Sequence, residues 1–126
     1  MPLIKVGNNQ DIFISDVRQE RDGLYFNYNN NGEKTEIFAP VFGKHHAENM
    51  GVAITMALKL GMSMSTIVLM LKTLPQVNHR LEVKQMENNV TVIDDAYNSN
   101  PNGTKVALDT LSMFDGIKVI VTPGMV

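Results

Sequence analysis

The stretch "VIDDAYNSNPNG" (Val92–Gly103) carries the chain out of a strand and into a helix. Its first residues are apolar and β-branched, whereas Pro101 suits the first turn of a helix that Asn100 would cap. Another β-branched run, "KVIVT", follows at 118–122 and is typical of strands buried in parallel sheets. Together these signals predict a right-handed β-α-β crossover, as in a Rossmann-like fold. Its elements would be a strand at 90–94, a helix at about 101–114 and a strand at 117–122.

The residues before this stretch show first a strand pattern and then a helix pattern. Three alternating runs between residues 3 and 40, with a turn signal at Asn29–Gly32, predict an antiparallel meander. Apolar residues at steps of three and four then predict helices at 44–61 and 65–74, the second capped by Ser63. The runs "RLEVKQM" and "VTVID" predict a hairpin or two adjacent strands. The predicted fold class is therefore mixed α/β: an antiparallel meander and a helix pair, followed by a partial Rossmann-like β-α-β.

Composition narrows the possible functions. The 126 residues carry a formal net charge of −2 without a basic stripe, so binding to nucleic acid through phosphate neutralisation is not expected. The absence of cysteine excludes disulfides and thiol chemistry. The apolar stretches are too short to span a bilayer, so we expect no membrane insertion and predict a cytoplasmic location. The sequence ends just past a strand-like run, and we expect it to be a piece of a longer protein.

Polar side chains crowd the end of the strand predicted at 90–94. Ligands of open α/β sheets bind beyond the carboxyl ends of the strands, where these side chains would lie. Asp95 could accept hydrogen bonds from ribose hydroxyls, and Asn98 could contact a substrate. The alternative is that these residues only form turns and caps, which explains Asn100 most easily.

A second polar group, "GKHHAENMG" (43–51), begins the first long helix. A metal site here is disfavoured because His46 points about 100° away from the face that His45 and Glu48 share. A further ligand would have to come from His79. The open alternatives are a helix start that touches a ligand and a helix start that is merely solvated.

A third group, "NHRLE" (78–82), places Arg80 between the helix pair and the next strands. A guanidinium there could hold a phosphate or a ribose at a domain boundary. The alternative is an ordinary salt bridge with Glu82 or Asp95. The sequence contains no G-x-x-x-x-G-K-[ST] phosphate loop, no G-x-G-x-x-G and no G-x-S-x-G.

Taken in order, the three groups resemble the Mur ligases, a family of ATP-dependent peptidoglycan amide ligases. The matching pieces fall within 43–101: "G-x-H-x-x-x-N", then "LGM", "HRLE" and "DDAYNSNP". The form "DD-x-Y-N-x-N", together with "VTPGM" at 121–125, is similar to the branch that joins D-alanyl-D-alanine to a UDP-N-acetylmuramoyl tripeptide. The resemblance implies ATP and Mg²⁺ as cofactors, both held mainly by segments outside this sequence. It also implies a reaction through an acyl-phosphate, with no catalytic residue in this piece.

The resemblance further implies binding roles for six residues. Asn49 matches an adenine contact, Arg80 an arginine near the ribose or phosphates, and Asp95 an acidic residue that binds ribose. His46 stands where the family often has asparagine, and Tyr97 where some members have a lysine that reaches the phosphates. The expected nucleotide-binding residues are thus His46, Asn49, Arg80 and Asp95, and the expected substrate-binding residues are Asn98 and Asn100.

The resemblance also implies a domain division. Residues 1–77 would form the last part of a central ATP-binding domain, and 78–126 the first part of a C-terminal domain. The expected partners are a UDP-N-acetylmuramoyl peptide and D-alanyl-D-alanine, and a partial domain could also associate with itself. The piece alone is expected to be inactive. The alternatives are another amide ligase of the superfamily (folylpolyglutamate-type or amidotransferase-associated), a non-catalytic nucleotide-binding module, and a metal-binding or structural domain built on His45, His46 and His79.

Overall fold

The computed structural model describes residues 4–7, 10–97 and 100–124. The chain divides into two compact units, Met1–Pro75 and Gln76–Val126, hereafter unit 1 and unit 2. The unit boundary lies close to the domain boundary predicted after residue 77, and the assignment of the units to ligase domains stays a prediction. In the described part of the chain, no helix is long and apolar enough to cross a membrane.

Unit 1 contains the predicted antiparallel meander. Its strands are β1 (Ile12–Glu20), β2 (Gly23–Asn30) and β3 (Glu33–Ala39), paired in the order β1-β2-β3. Asn31 and Gly32 join β2 to β3 with φ of 50° and 88°. A two-residue hairpin turn needs positive φ at both positions, and asparagine and glycine accept it at little cost. The turn predicted around Asn29–Gly32 is therefore confirmed.

Two helices cover one face of this sheet. They are α1 (His46–Lys59) and α2 (Met64–Leu71), each shorter by a few residues than its predicted range. Gly61 ends the first helix with φ of 94°, and the Ser63 hydroxyl accepts a hydrogen bond from the Thr66 N–H as the predicted cap of the second. The helix pair is therefore confirmed, together with the glycine that ends the first helix and the serine that caps the second.

The core of unit 1 lies between the sheet and the helices. The alternating residues of β2 face inward, and Leu24, Phe26 and Tyr28 are each at most 1% exposed. They pack in one cluster with side chains of β3, α1 and α2, namely Ile37, Ala39, Ala47, Met50, Ile54 and Ile67. Full burial of one large apolar side chain contributes about 1.5–3 kcal/mol, so this cluster dominates the stability of the unit.

A small residue lets α1 approach β1 closely. A Cβ placed on Gly51, in the middle of the helix, would lie 2.7 Å from Ile14 Cδ1. Glycine costs about 1 kcal/mol relative to alanine inside a helix. The close contact between α1 and β1 explains its presence here.

Unit 2 contains the predicted hairpin and the predicted third helix. The strands β4 (Glu82–Gln85) and β5 (Thr91–Asp94) pair in antiparallel fashion, and α3 runs over Pro101–Ser112. Asn88 and Asn89 turn the chain with φ of 60° and 59°. Asn100 caps α3 as predicted, since its Oδ1 accepts the Gly103 N–H at 2.8 Å.

One predicted element of unit 2 is wrong for this chain. Residues 117–122 form no strand, and Ile117 and Val121 are 97% and 94% exposed. A parallel strand is stable when neighbouring strands pair with it and helices cover its faces. Among the described residues of this unit, the strands are β4 and β5, which pair with each other. The mixed α/β class is confirmed, but the β-α-β crossover stops after its helix.

Candidate functional site

Two loops meet at the open end of the β4–β5 hairpin. Segment 78–82 leads into β4 and segment 94–97 leaves β5, and we call these segments the paired loops. Glu82 and Asp94 stand opposite each other in the ladder. Antiparallel pairing therefore brings "HRLE" and "DDAY", which are separated in the sequence, to the same edge.

Hydrogen bonds donated by backbone N–H groups hold the paired loops together. The Leu81 N–H donates to Asp95 Oδ1 at 3.0 Å, and the Tyr97 N–H donates to the His79 carbonyl at 3.0 Å. Within the first loop, the His79 N–H donates to Glu82 Oε2 at 3.1 Å. The first two bonds fix the two loops against each other, and the third holds the shape of the first loop.

The first loop adopts an unusual backbone conformation around Arg80. His79 and Leu81 have φ of 59° and 51°, in the left-handed region that side chains with a Cβ disfavour. Each such residue costs on the order of 1 kcal/mol or more, and such strain is found preferentially at functional sites. Asp95 offsets part of this cost, because its carboxylate satisfies the N–H of Leu81, which is 7% exposed.

The Arg80 side chain stacks on an aromatic ring. Its guanidinium carbon lies 4.2 Å from the centroid of the Tyr97 ring, and Tyr97 is 67% exposed. The alternative salt bridge of Arg80 with Glu82 or Asp95 does not form in the described part of the chain. Asp95 Oδ1 instead accepts the Leu81 N–H, and Glu82 pairs with Lys84 at 3.0 Å.

His79, Glu82, Lys84 and Asp94 form a charged cluster next to the paired loops. His79 Nδ1 and Asp94 Oδ2 are 2.8 Å apart, and Lys84 Nζ lies 3.4 Å from the same oxygen. The hydrogen bond with His79 is the main cause that lowers the pKa of Asp94, followed by the bond from the Ala96 N–H. The hydrogen bond with Lys84 lowers the pKa of Glu82 and raises that of Lys84. Both carboxyl groups are therefore ionised at neutral pH.

This cluster contains the donor atoms that a metal ion could use. Ligand atoms of His79, Glu82 and Asp94 lie within 4.8 Å of one another. The ammonium group of Lys84 already contacts both carboxylates, so a divalent cation would have to displace it. The metal site considered from the sequence combined His45 and His46 with His79, whereas the structure places those two histidines in unit 1 and His79 in unit 2.

Unit 1 presents a second group of predicted residues at the start of α1. His46 and Asn49 are three positions apart, so they share a face of the helix. His46 is half-buried and Asn49 is exposed. Burial, and secondarily the neighbouring His45, lowers the pKa of His46. A neutral imidazole can donate with one ring nitrogen and accept with the other.

The loop before α1 is built around a glycine. Gly43 has φ of 110°, and a Cβ on it would lie 2.6 Å from His45 Cε1. Its N–H donates to Gln19 Oε1 at 2.7 Å, which ties the loop to β1. Gln19 Nε2 in turn donates to the Val41 carbonyl at 3.3 Å. These contacts fasten to β1 the loop that leads into α1.

The six predicted site residues therefore fall into three groups. Arg80 and Asp95 meet in the paired loops of unit 2, and His46 and Asn49 share a face of α1 in unit 1. Asn100 serves as a helix cap, while Asn98 lies outside the described residues. The binding roles of all six stay predictions.

Sequence reasoning missed the stack of Arg80 on Tyr97 and the ion pairs of Lys84 with Glu82 and Asp94. A signal for the lysine was present. Once Glu82 is paired with Asp94 in the hairpin, Lys84 falls on the same strand face as Glu82, two residues away.

Curated proteins with similar sequences carry Mur ligase names, although no family model matches the chain. A UDP-N-acetylmuramoyl-tripeptide–D-alanyl-D-alanine ligase of Buchnera aphidicola is 27% identical over 120 residues, covering 95% of this chain and 26% of that protein. The Bacillus subtilis ligase of the same name is 28% identical over 110 residues, covering 87% and 24%. A UDP-N-acetylmuramate–L-alanine ligase of Persephonella marina is 35% identical over 121 residues, covering 94% and 25%.

Solved structures agree in fold. A crystal structure of MurF from Acinetobacter baumannii superposes with a TM-score of 0.73 at 28% identity, covering 90% of this chain and 25% of that one. The resemblance to the Mur ligase family is confirmed. A Thermotoga maritima MurF ligase in complex with ADP shares the fold, with a TM-score of 0.64 at 18% identity, covering 88% of this chain and 26% of that one. The chain spans about a quarter of the length of the Mur ligases it matches.

Proposed function

We propose that this chain belongs to a ligase that joins D-alanyl-D-alanine to a UDP-N-acetylmuramoyl tripeptide at the expense of ATP. In this proposal, residues 1–77 end the central ATP-binding domain and residues 78–126 begin the C-terminal domain, a division two residues after the boundary between units 1 and 2. The observation that carries the proposal is the geometry of the paired loops, which bring Arg80 and Asp95 to one edge of the hairpin. The names of the Buchnera and Bacillus relatives support the choice of substrates.

The residues of unit 2 suit the ribose and phosphates of a nucleotide. The guanidinium of Arg80 keeps its N–H donors in the plane of the group, where a phosphate oxygen can accept from two of them. Asp95 uses Oδ1 for the Leu81 N–H, and a carboxylate has a second oxygen that can accept from a ribose hydroxyl. The loop therefore offers a donor for phosphate and an acceptor for sugar.

The residues of unit 1 suit the edge of a base. Asn49 is exposed, and its amide can donate to one ring nitrogen while it accepts from an exocyclic amine. His46 stands on the same helix face in its neutral form, because its pKa is lowered. A neutral ring can replace the asparagine that the family often has there, since it too can donate or accept.

ATP would supply the phosphoryl group that activates the peptide carboxylate, with Mg²⁺ offsetting the charge on the transferring group. Neither the phosphate loop nor a Mg²⁺ site is assigned to residues of this sequence. We therefore propose that the chain alone is inactive. Closure of the C-terminal domain over the nucleotide would carry Arg80 and Asp95 into place.

A sister activity is the second candidate. The Persephonella relative, whose name specifies L-alanine addition to UDP-N-acetylmuramate, is 35% identical over nearly the whole chain. This identity exceeds that of the Buchnera and Bacillus ligases, and it favours as the second candidate a ligase that adds a single amino acid.

Substrate choice is tested with the protein encoded by the whole reading frame that contains this chain. Phosphate release from ATP is followed with two substrate pairs: the UDP-N-acetylmuramoyl tripeptide with D-alanyl-D-alanine, and UDP-N-acetylmuramate with L-alanine. We expect activity with the first pair. Activity confined to the second pair would favour the sister ligase, and ATP binding without either reaction would favour a non-catalytic module.

Two experiments on the 126-residue chain test the remaining parts. Phosphate release from ATP by the purified chain would contradict the proposed inactivity. ATP binding, followed by NMR titration, is expected to weaken in the variant Asn49→Ala. Glu48→Ala is the matched control, because Glu48 is exposed on the same helix and points about 100° away. An equal loss in both variants would contradict the assigned role of Asn49.

A further inference from the structure

The contact between Arg80 and Tyr97 is an exposed cation–π stack within unit 2. The guanidinium carbon is 4.2 Å from the ring centroid, well within the range in which a cation is attracted to an aromatic face. Tyr97 is 67% exposed, so the ring contributes little to a core. A large aromatic residue held at the surface against a cation calls for an explanation other than packing.

The backbone shows that the stack is built into the paired loops. Tyr97 donates its N–H to the carbonyl of His79, the residue directly before Arg80. His79 and Leu81, on either side of Arg80, are both in the left-handed region. Swinging the arginine away through the backbone would release this conformation and break the bonds to Tyr97 and Asp95. The ring and the guanidinium are therefore placed against each other by the main chain as well as by their mutual attraction.

The charge of Arg80 remains available to an anion. Within the described residues, the neighbouring carboxylates have other partners: Asp95 accepts from Leu81, and Glu82 pairs with Lys84. A stacked guanidinium has its face covered by the ring, whereas its N–H donors point outward in the plane. A group that presents several oxygens, such as phosphate, can accept from two of these donors at once.

We propose that Tyr97 is a positioning residue that holds the Arg80 guanidinium for the phosphates of the bound nucleotide. The inference rests on the proposed function, and it adds Tyr97, to which the sequence assigned no binding role. Tyr97 acts through Arg80: the ring restricts the rotamers of a long side chain before the ligand arrives. Less conformational freedom is then lost on binding, and the affinity is higher.

The experiment compares variants of the 126-residue chain in titrations with ATP, read by NMR chemical shifts. Tyr97→Phe keeps the ring and is expected to bind within about 2-fold of the parent chain. Tyr97→Leu removes the ring and is expected to bind about 2- to 5-fold more weakly, the range expected for an exposed cation–π contact. In an Arg80→Ala background, Tyr97→Leu should have no further effect, because the residue it positions is gone.

A second readout requires no ligand. Protons of a guanidinium stacked on a ring are shifted upfield by the ring current, so the Arg80 side-chain signals of the chain without ATP should move downfield in Tyr97→Leu and stay in place in Tyr97→Phe. Unchanged amide signals of β4 and β5 verify that each variant keeps the fold of unit 2.

The possible outcomes test the role of Tyr97 separately from the proposed ligase function. ATP binding by the parent chain that Tyr97→Leu leaves unchanged overturns the inference alone. A loss of affinity in Tyr97→Leu that persists in the Arg80→Ala background also overturns it, because the ring would then act independently of the arginine. A parent chain with no detectable ATP binding overturns the inference for this chain, and the phosphate-release assay on the protein encoded by the whole reading frame then tests the proposed function separately.

Discussion

Tyr28 and Thr55 form a buried polar contact whose energetic consequences follow from the geometry. Their hydroxyl oxygens are 2.8 Å apart, and the two residues are 1% and 5% exposed. Thr55 Oγ1 donates its single proton to the Gly51 carbonyl at 2.7 Å. The tyrosine hydroxyl must therefore be the donor of the pair, and the threonine oxygen its acceptor.

Because the tyrosine donates and the threonine accepts, the two single substitutions should lower the free energy of unfolding by different amounts. Thr55→Val keeps the volume but leaves a buried tyrosine hydroxyl without an acceptor, which costs about 1–3 kcal/mol, with about 2 as the central value. Tyr28→Phe removes the donor and leaves the threonine bonded to Gly51, so it costs about 1 kcal/mol. The double variant has apolar groups on both sides and should lose only about 1 kcal/mol in total. The coupling free energy is then about −2 kcal/mol, because the two single losses sum to about 3.

Urea denaturation followed by far-UV circular dichroism measures these free energies of unfolding. Tyr25→Phe is the matched control: its hydroxyl bonds to Asp22 at 2.8 Å on the exposed side of the sheet, so a loss below about 0.5 kcal/mol is expected. Two results would refute the reasoning. One is additivity of the single losses in the double variant, and the other is a larger loss for Tyr28→Phe than for Thr55→Val.

Three other predictions concern a turn and two titrating groups. Gly23→Ala should lower the free energy of unfolding by about 2–4 kcal/mol. The backbone φ at Gly23 is 152°, and an added Cβ would press on the Ala39 carbonyl oxygen and lie 2.9 Å from Pro40 Cα. Urea denaturation should show a smaller loss for the control Gly32→Ala, where an added Cβ would have no atom within 4 Å. Because the pKa of Asp94 is lowered in the folded chain, the stability that its carboxylate contributes is complete above its unfolded pKa of about 4 and is lost as pH falls through the folded pKa. An acid titration of the unit 2 amide signals should show this loss of stability. In the variant Asp94→Asn the loss on acidification should be smaller. The lowered pKa of His46 predicts that its ring protons titrate below pH 6.5 and that its stabilisation is lost as pH falls from there; an NMR titration with a midpoint above that pH would contradict the burial argument.

Much of the fold could be predicted because its signals are local. Alternation along β2, the Asn-Gly turn, and the caps Ser63 and Asn100 each depend on residues close in sequence, and the structure contains all of them. The strand predicted at 117–122 failed for a reason that is not local. Its β-branched residues favour an extended chain, but a strand also needs a neighbour and a covered face, which a propensity pattern cannot supply.

The candidate site divides in the same way. The residues that crowd the strand and helix ends were visible as motifs, and the capping role of Asn100 followed from its place before Pro101. The stack of Arg80 on Tyr97 was not visible, because it depends on the hairpin that brings two distant loops together. The salt bridge considered from the sequence is not the arrangement in the described residues, where Arg80 stacks on Tyr97, Asp95 accepts the Leu81 N–H and Glu82 pairs with Lys84.

The bonds between the paired loops also limit how this part of the molecule can move. Arg80 and Asp95 belong to separate stretches of chain, yet the Leu81–Asp95 and His79–Tyr97 hydrogen bonds fasten those stretches to each other. A hinge motion cannot deliver one of these side chains and leave the other behind. The two loops therefore move as one body, and the guanidinium of Arg80 and the carboxylate of Asp95 are carried together.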